Sequence, residues 1–193
     1  MLHTKTVEPN TFSVLNQLMD IPELQDFSLV GGSALSLYYG HRKSVDLDLF
    51  SNKPFENNLI VESLKKNFQD KFVMEEKPPR FGIFCYLNGI KVDLIKHPHP
   101  LIRPQINIKR IRMFSVEDII AMKVQAILGR GKKKDFWDIA ELLQHFSVAD
   151  FIRFHKEKYA TQNLLITVPQ AITYFADAEE SEDPVSLKNQ TWD

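Results

Sequence analysis

The sequence predicts an α+β fold: a small mixed sheet flanked by helices, followed by a helical C-terminal portion. Three observations carry this. Val45-Asp-Leu-Asp-Leu-Phe50 alternates apolar and acidic residues with the period of a strand. Two β-type runs, Phe81–Leu87 and Ile90–Ile95, flank Asn88-Gly89, the strongest short hairpin signal. After residue 114 the pattern turns to helices alone, opened by the capping boxes Ser115-Val-Glu-Asp118 and Ser147-Val-Ala-Asp150.

In chain order, residues 10–20 read as a helix with Phe12, Leu15, Leu18 and Met19 on one face, and Pro22 limits its extension. Phe27–Val30 is a short buried strand running into Gly31-Gly32-Ser33. A second helix then carries Ala34, Leu35, Leu37 and Tyr38, and Gly40 is placed to end it in a left-handed conformation. Val45–Phe50 is a strand with Val45, Leu47 and Leu49 turned to a core, residues 55–68 are helical, and Lys71–Glu75 and Ile106–Met113 are further strands. Helices follow through Leu128, over Asp135–His145, from Ser147 to about Tyr159, and over Leu164–Ala176. The expected organisation is an α/β core at 1–114, a helical portion at 115–176 that completes the site, and a flexible acidic tail at 177–193.

Of the 193 residues, 44% are hydrophobic and 25% charged, which excludes collagen-like, disulfide-framework and fully disordered chains. The single cysteine, Cys85, allows no internal disulfide and reads as a buried small hydrophobe, as in a reducing compartment. No apolar run reaches membrane-spanning length and no leader is evident, so a soluble cytoplasmic protein without a membrane partner is expected. Net charge is −1 but unevenly spread. Arg103–Lys134 holds nine Lys or Arg against two acids, and Asp177 onward holds six acids against one lysine. Such a basic middle suits a polyanion, and a solvated face explains it equally well.

Chemistry concentrates between Gly31 and Phe50. Asp46 and Asp48, two apart on a strand, project together and repel unless a cation lies between them. Mg²⁺ fits, with Mn²⁺ as the alternative, because a hard ion takes one or two carboxylates and leaves its other positions to water and phosphate. The competing reading is the wet face of an edge strand. Gly31-Gly32-Ser33, between strand and helix, offers free N–H groups and a helix dipole to an anion, or else is a tight turn. Lys91-Val-Asp93-Leu-Ile95 repeats the alternation, and if that strand lies beside Val45–Phe50 three carboxylates converge, enough for two metal ions. Alone, Asp93 is as well explained by solvation. His97-Pro-His99 lacks metal-binding spacing and reads as a loop. The basic run Arg130–Lys134 suits an RNA backbone or a solvated helix start.

Gly-Gly-Ser, a helix, then Gly-His-Arg-x-Ser-x-Asp-x-Asp-Leu-Phe resembles the first motif of the abortive-infection nucleotidyltransferases (AbiEii/AbiGii-type toxins) of the polymerase-β-like superfamily. Twelve residues separate Ser33 from Asp46, as in that motif, and Asp93 is the natural third acid. Ala121-Met-Lys123 resembles the family's Ala-x-Lys motif and Lys134-Asp-Phe-Trp-Asp138 its Lys/Arg-Asp-x-x-Asp motif. The resemblance implies a polymerase-β-like core and transfer of a nucleoside monophosphate from an NTP to a hydroxyl, with a tRNA 3′ end as acceptor and an antitoxin as partner. It implies that Asp46, Asp48 and Asp93 bind metal and that Gly32, Ser33 and Lys123 hold the triphosphate. Asp135 and Asp138, on one helical face, would bind ribose or base, hold Lys123 or position the acceptor. Arg42 and Ser44 would touch phosphate or brace Asp46. From the residues alone, Lys123 is an ordinary surface lysine, Arg42 pairs with some nearby acid, and Lys134 forms an i,i+4 pair with Asp138. A protein or small-molecule nucleotidylyltransferase and a non-catalytic nucleotide-binding regulator are the alternative functions.

Overall fold

A computed structural model describes residues 2–129 and 131–192. The described strands are β1 Ser28–Leu29, β2 Leu47–Ser51, β3 Phe72–Val73, β4 Gly82–Leu87, β5 Ile90–Lys96, β6 Ile106–Ile108 and β7 Ile111–Met113. They form one mixed sheet in the order β3-β4-β5-β2-β1-β7-β6. The helices are α1 Pro9–Asp20, α2 Gly31–Tyr39, α3 Asn57–Phe68, α4 Val116–Gly129, α5 Lys133–Leu142, α6 Val148–Lys158 and α7 Val168–Thr173.

Alternation decides which side of the sheet is buried. Leu47 and Leu49 of β2, Val92 and Leu94 of β5, and Ile83, Cys85 and Leu87 of β4 are all buried. α1 touches β5 and β7, while α3 touches β3 and β4, so these helices cover the apolar face. The opposite face of β2 and β5 carries Asp48 and Asp93. β2 and β5 run parallel with Asp48 opposite Asp93, and β1 lies antiparallel to β2. Asn88 (φ 51°) and Gly89 (φ 77°) make the tight β4–β5 turn.

The helical part is fastened by a buried charge. Ser115 caps α4, its hydroxyl accepting from the Asp118 N–H at 3.1 Å and donating to the Asp118 carboxylate at 2.7 Å. That carboxylate also accepts the Ile102 N–H at 3.0 Å and Lys158 Nζ, from the end of α6, at 2.6 Å. Asp118 and Lys158 are fully shielded from water. α4 packs further on α2, α5 and α7.

Several expectations need correction. Val45 is exposed rather than in the core, because β2 begins only at Leu47. The Ile106–Met113 strand is a hairpin, β6 and β7, reversed at Lys109 (φ 51°) and Arg110 (φ 70°). Two consecutive left-handed residues build that turn without asparagine or glycine to announce it. The helix expected over Leu164–Ala176 shrinks to α7, since the Thr167 hydroxyl accepts the Gln170 N–H and so starts the helix there. Residues 177–192, expected as a loose tail, fold back on the protein. The Lys43 N–H donates to Val185 C=O and the Leu187 N–H to His41 C=O, both at 2.9 Å. Lys188 pairs with Glu141 at 2.6 Å, and the Trp192 ring meets Phe136 and Phe175.

Candidate active site

A cleft of about 890 Å³ opens over the polar side of β2 and β5, bounded by the start of α2, by α4 and by the start of α5. Gly31, Gly32, Arg42, Ser44, Asp46, Asp48, Asp93, Lys123 and Asp135 all line it. Ser33 and Asp138 do not: both are buried behind its wall.

The glycine turn is the first turn of α2 itself. Gly31 sits at φ +65°, and a Cβ there would lie 2.9 Å from Asp48 Oδ2. At Gly32 a Cβ would lie 2.0 Å from an Arg42 Nη. Any side chain at either position would collide with the site, so close backbone approach is what the two glycines supply. No side chain caps α2, which leaves its leading N–H groups for an anion. The Ser33 hydroxyl is committed elsewhere, to Ser44 Oγ at 2.8 Å and to the Asp46 C=O. It holds the segment leading into the carboxylates instead of facing the cleft.

Asp48 and Asp93 stand side by side on neighbouring strands, and Asp46 precedes β2 on the same cleft. Burial pushes the Asp48 carboxyl above its ordinary pKa, and the neighbouring Asp93 and Asp46 charges add to that. One Asp93 oxygen is buried with no hydrogen-bond partner; the other receives Lys91 Nζ at 3.3 Å. Adjacent carboxylates, one with an orphaned oxygen and one resisting ionisation, are a donor set that a divalent cation would satisfy. Among the described residues no three His, Cys, Asp or Glu side chains are grouped so as to hold a metal ion, so Asp48 and Asp93 pair without Asp46 closing up to them as the three-carboxylate expectation required.

A second, fully buried charge cluster backs the glycine turn. Asp138 accepts from His41 Nε2 at 2.7 Å, from Arg42 Nε at 2.7 Å and Nη at 3.0 Å, and from Lys123 Nζ at 2.6 Å. Lys123 also reaches Asp135 at 2.8 Å, and Asp135 accepts the Lys132 N–H at 3.2 Å. Burial alone would push Asp138 up; Lys123, Arg42 and His41 outweigh it and hold the carboxyl well below the usual range. Burial likewise opposes the charges of Lys123 and Arg42, and Asp138 with Asp135 restores them. Lys123 is thus no surface lysine, and Asp138 is the acid that Arg42 finds. Lys134 leaves Asp138 alone and points to Asp46 at 3.7 Å. Arg130 of the basic run lies outside the described residues.

Other cleft residues escaped the sequence reading. Lys91 was readable as the residue two before Asp93 on the same strand face. His97 and His99, read as a loop, stand 4.8 Å apart by ring centroid, with Tyr159 at 4.6 Å from His99. Burial holds the His97 imidazole neutral, its pKa pulled down to about 3, with the Lys158 charge assisting. His97, His99, Tyr159 and Phe50 give the cleft an aromatic wall.

Comparison with known proteins agrees with this arrangement. The sequence model described as "Nucleotidyl transferase AbiEii toxin, Type IV TA system" matches residues 13–189. An uncharacterised protein of Aquifex aeolicus (strain VF5) is 31% identical over 172 residues, covering 86% of this chain and 82% of that protein. Among solved structures, JHP933 from Helicobacter pylori superposes with a TM-score of 0.53 at 17% identity, covering 89% of each chain. The antibiotic-resistance factor ANT(2'')-Ia superposes with a TM-score of 0.57 at 13% identity, covering 83% of this chain and 96% of that one. The Megavirus polyadenylate synthase gives 0.50 at 16% identity, covering 71% of this chain and 32% of that one. These likenesses show a shared fold, the mixed sheet flanked by helices that the sequence predicts. Glycine turn, paired strand aspartates and sequence match together establish that the chain belongs to the AbiEii nucleotidyltransferase toxin family.

Proposed function

We propose that this nucleotidyltransferase moves a nucleoside monophosphate from an NTP to the terminal hydroxyl of an RNA, a tRNA 3′ end by preference, as the toxin of a toxin–antitoxin pair. The observation that carries the reading is Asp48 in register with Asp93, directly beneath the Gly31 backbone. Asp46, Asp48 and Asp93 would hold Mg²⁺, or Mn²⁺ in its place. That ion, when bound, neutralises phosphate charge and lowers the pKa of a coordinated hydroxyl.

The chain's own residues do the rest. The uncapped N–H groups of α2 receive the triphosphate, and Lys123 and Arg42 line the wall behind it, their charges balanced and their positions held by Asp135 and Asp138. The wall of His97, His99 and Tyr159 stacks the base. The acceptor oxygen attacks the α-phosphorus, the bond from that phosphorus to the bridging oxygen breaks, and pyrophosphate leaves. Asp93, whose free oxygen faces no other donor, takes the hydroxyl proton.

Incubation with each α-labelled NTP, Mg²⁺, and total tRNA or cell lysate tests this. Label on RNA is expected. Label on protein or on a small molecule refutes the acceptor, and no transfer to any acceptor refutes the reading. A neighbouring gene product that binds the protein and stops transfer is the expected antitoxin.

A further inference from the structure

The row of side chains that begins at the carboxylates does not stop at β5. β4 pairs with β5 so that Phe84 stands opposite Asp93 and Tyr86 opposite Lys91. Directly opposed residues of antiparallel strands share a face, so Asp48, Asp93 and Phe84 form one line across three strands. With strands about 4.8 Å apart, Phe84 sits roughly 5 Å beyond Asp93 and roughly 10 Å beyond Asp48. Phe84 is 37% exposed, Tyr86 40% and Phe81 57%, and the Phe81 and Phe84 rings meet edge to face at 5.7 Å. Three uncovered aromatic rings in a row need an explanation in a small protein.

Phe84 and Tyr86 border a second groove of about 430 Å³, between β4 and the Glu75–Pro79 segment, and Phe81 joins them through its contact with Phe84. Lys91 lines this groove and the active-site cleft alike, so its side chain stands between the two. Lys91 and Lys77 supply the cations of this groove, beside Glu75 and Glu76.

We infer that Phe81, Phe84 and Tyr86 are a stacking platform for the unpaired terminal bases of the RNA acceptor, delivering its end to Asp93 with Lys91 on the backbone phosphate. The inference rests on the acceptor reading above. Base–aromatic stacking tolerates any base, and the line leads to the carboxylates where the reacting hydroxyl must arrive. A protein partner would have no reason to follow that line.

The test is equilibrium binding, without NTP, of a 5′-fluorescein single-stranded 12-nucleotide RNA to full-length Asp48→Asn protein, read by anisotropy. Turnover is not needed, so failure of transfer and failure of the platform are separate results. In this background Phe84→Ala and Tyr86→Ala should each weaken RNA binding at least about fivefold, the effect of one lost stack. Phe84→Trp and Tyr86→Phe should stay within about threefold of the parent, and nucleotide affinity should hold in all four. The control Ile152→Ala, on exposed α6 surface, should change nothing. RNA affinity within about twofold of the parent in a folded Phe84→Ala/Tyr86→Ala double variant overturns the inference. So does loss of a bound protein partner in that variant with RNA affinity intact.

Discussion

Two aspartates of this site, one lining the cleft and one buried behind it, should respond oppositely to the same isosteric change. Asp138→Asn removes the carboxylate that both Arg42 and Lys123 contact, leaving two buried cations with Asp135 as their remaining close acid. Breaking a buried pair on one side costs about 3–5 kcal/mol. For a chain this long, each kcal/mol moves Tm by about 2–4 °C, so a drop of roughly 6–20 °C is expected. Asp48→Asn removes repulsion instead. At about 5 Å and an effective dielectric near 20, two carboxylates repel by about 3 kcal/mol, an upper bound that solvent at the cleft reduces. The metal-free Asp48→Asn protein should therefore match the parent or exceed it by up to about 2 kcal/mol, while transfer falls more than about 100-fold. The pH dependence has a definite sign. Asp138 is depressed in the folded state, so its contribution is complete above the unfolded value near 3.9 and fades as pH falls toward its folded value. The stability gap between parent and Asp138→Asn should thus close below about pH 4. Urea unfolding followed by circular dichroism at pH 7 and at pH 3 measures all of this. An Asp138→Asn protein as stable as the parent at pH 7, or an Asp48→Asn protein that loses several kcal/mol, would refute the division into a structural and a functional carboxylate.

Further outcomes follow from the same geometry. Gly32→Ala should push Arg42 off Asp138, raising KM for the nucleotide and lowering Tm together, since its Cβ would fall 2.0 Å from the guanidinium. Lys158→Met should cost about 3–5 kcal/mol in urea unfolding by stranding Asp118, with nucleotide affinity preserved in the folded fraction. His97 has its pKa pulled down to about 3, so the folded state resists protonating it, and stability should fall as pH drops from about 6.5 toward 3. His97→Gln should flatten that slope in a pH series of thermal melts. Ser33→Ala should cost about 1 kcal/mol and raise KM more than it lowers kcat, because Ser33 holds Ser44 and the Asp46 backbone rather than the substrate.

Local alternation made the carboxylates legible: Asp48 and Asp93 each sit between buried apolar neighbours, period two puts them on the other face, and Asp46 immediately precedes that strand. The Asn88-Gly89 turn and the boxes at Ser115 and Ser147 were equally local, because each motif satisfies its own backbone groups. What the sequence withheld depends on distant partners. Lys123 looks like a surface residue until Asp135 and Asp138 come around it. Asp138 is its own chemical opposite in the two readings, a helix-surface acid from its neighbours and a buried counter-ion from residues nearly a hundred positions earlier. The return of residues 177–192 rests partly on main-chain bonds to His41 and Lys43, which an acidic composition does not encode. The Lys109–Arg110 turn hides because its residues are untypical of the conformation they adopt.

Because two carboxylates on α5, Asp135 and Asp138, anchor the residues behind the glycine turn, the reactive centre has a remote point of vulnerability. A ligand that wedges α5 outward would scatter Arg42 and Lys123 and disarm the protein, with every metal-binding aspartate still in its place. Inhibition would then require no resemblance to a nucleotide and no competition with one.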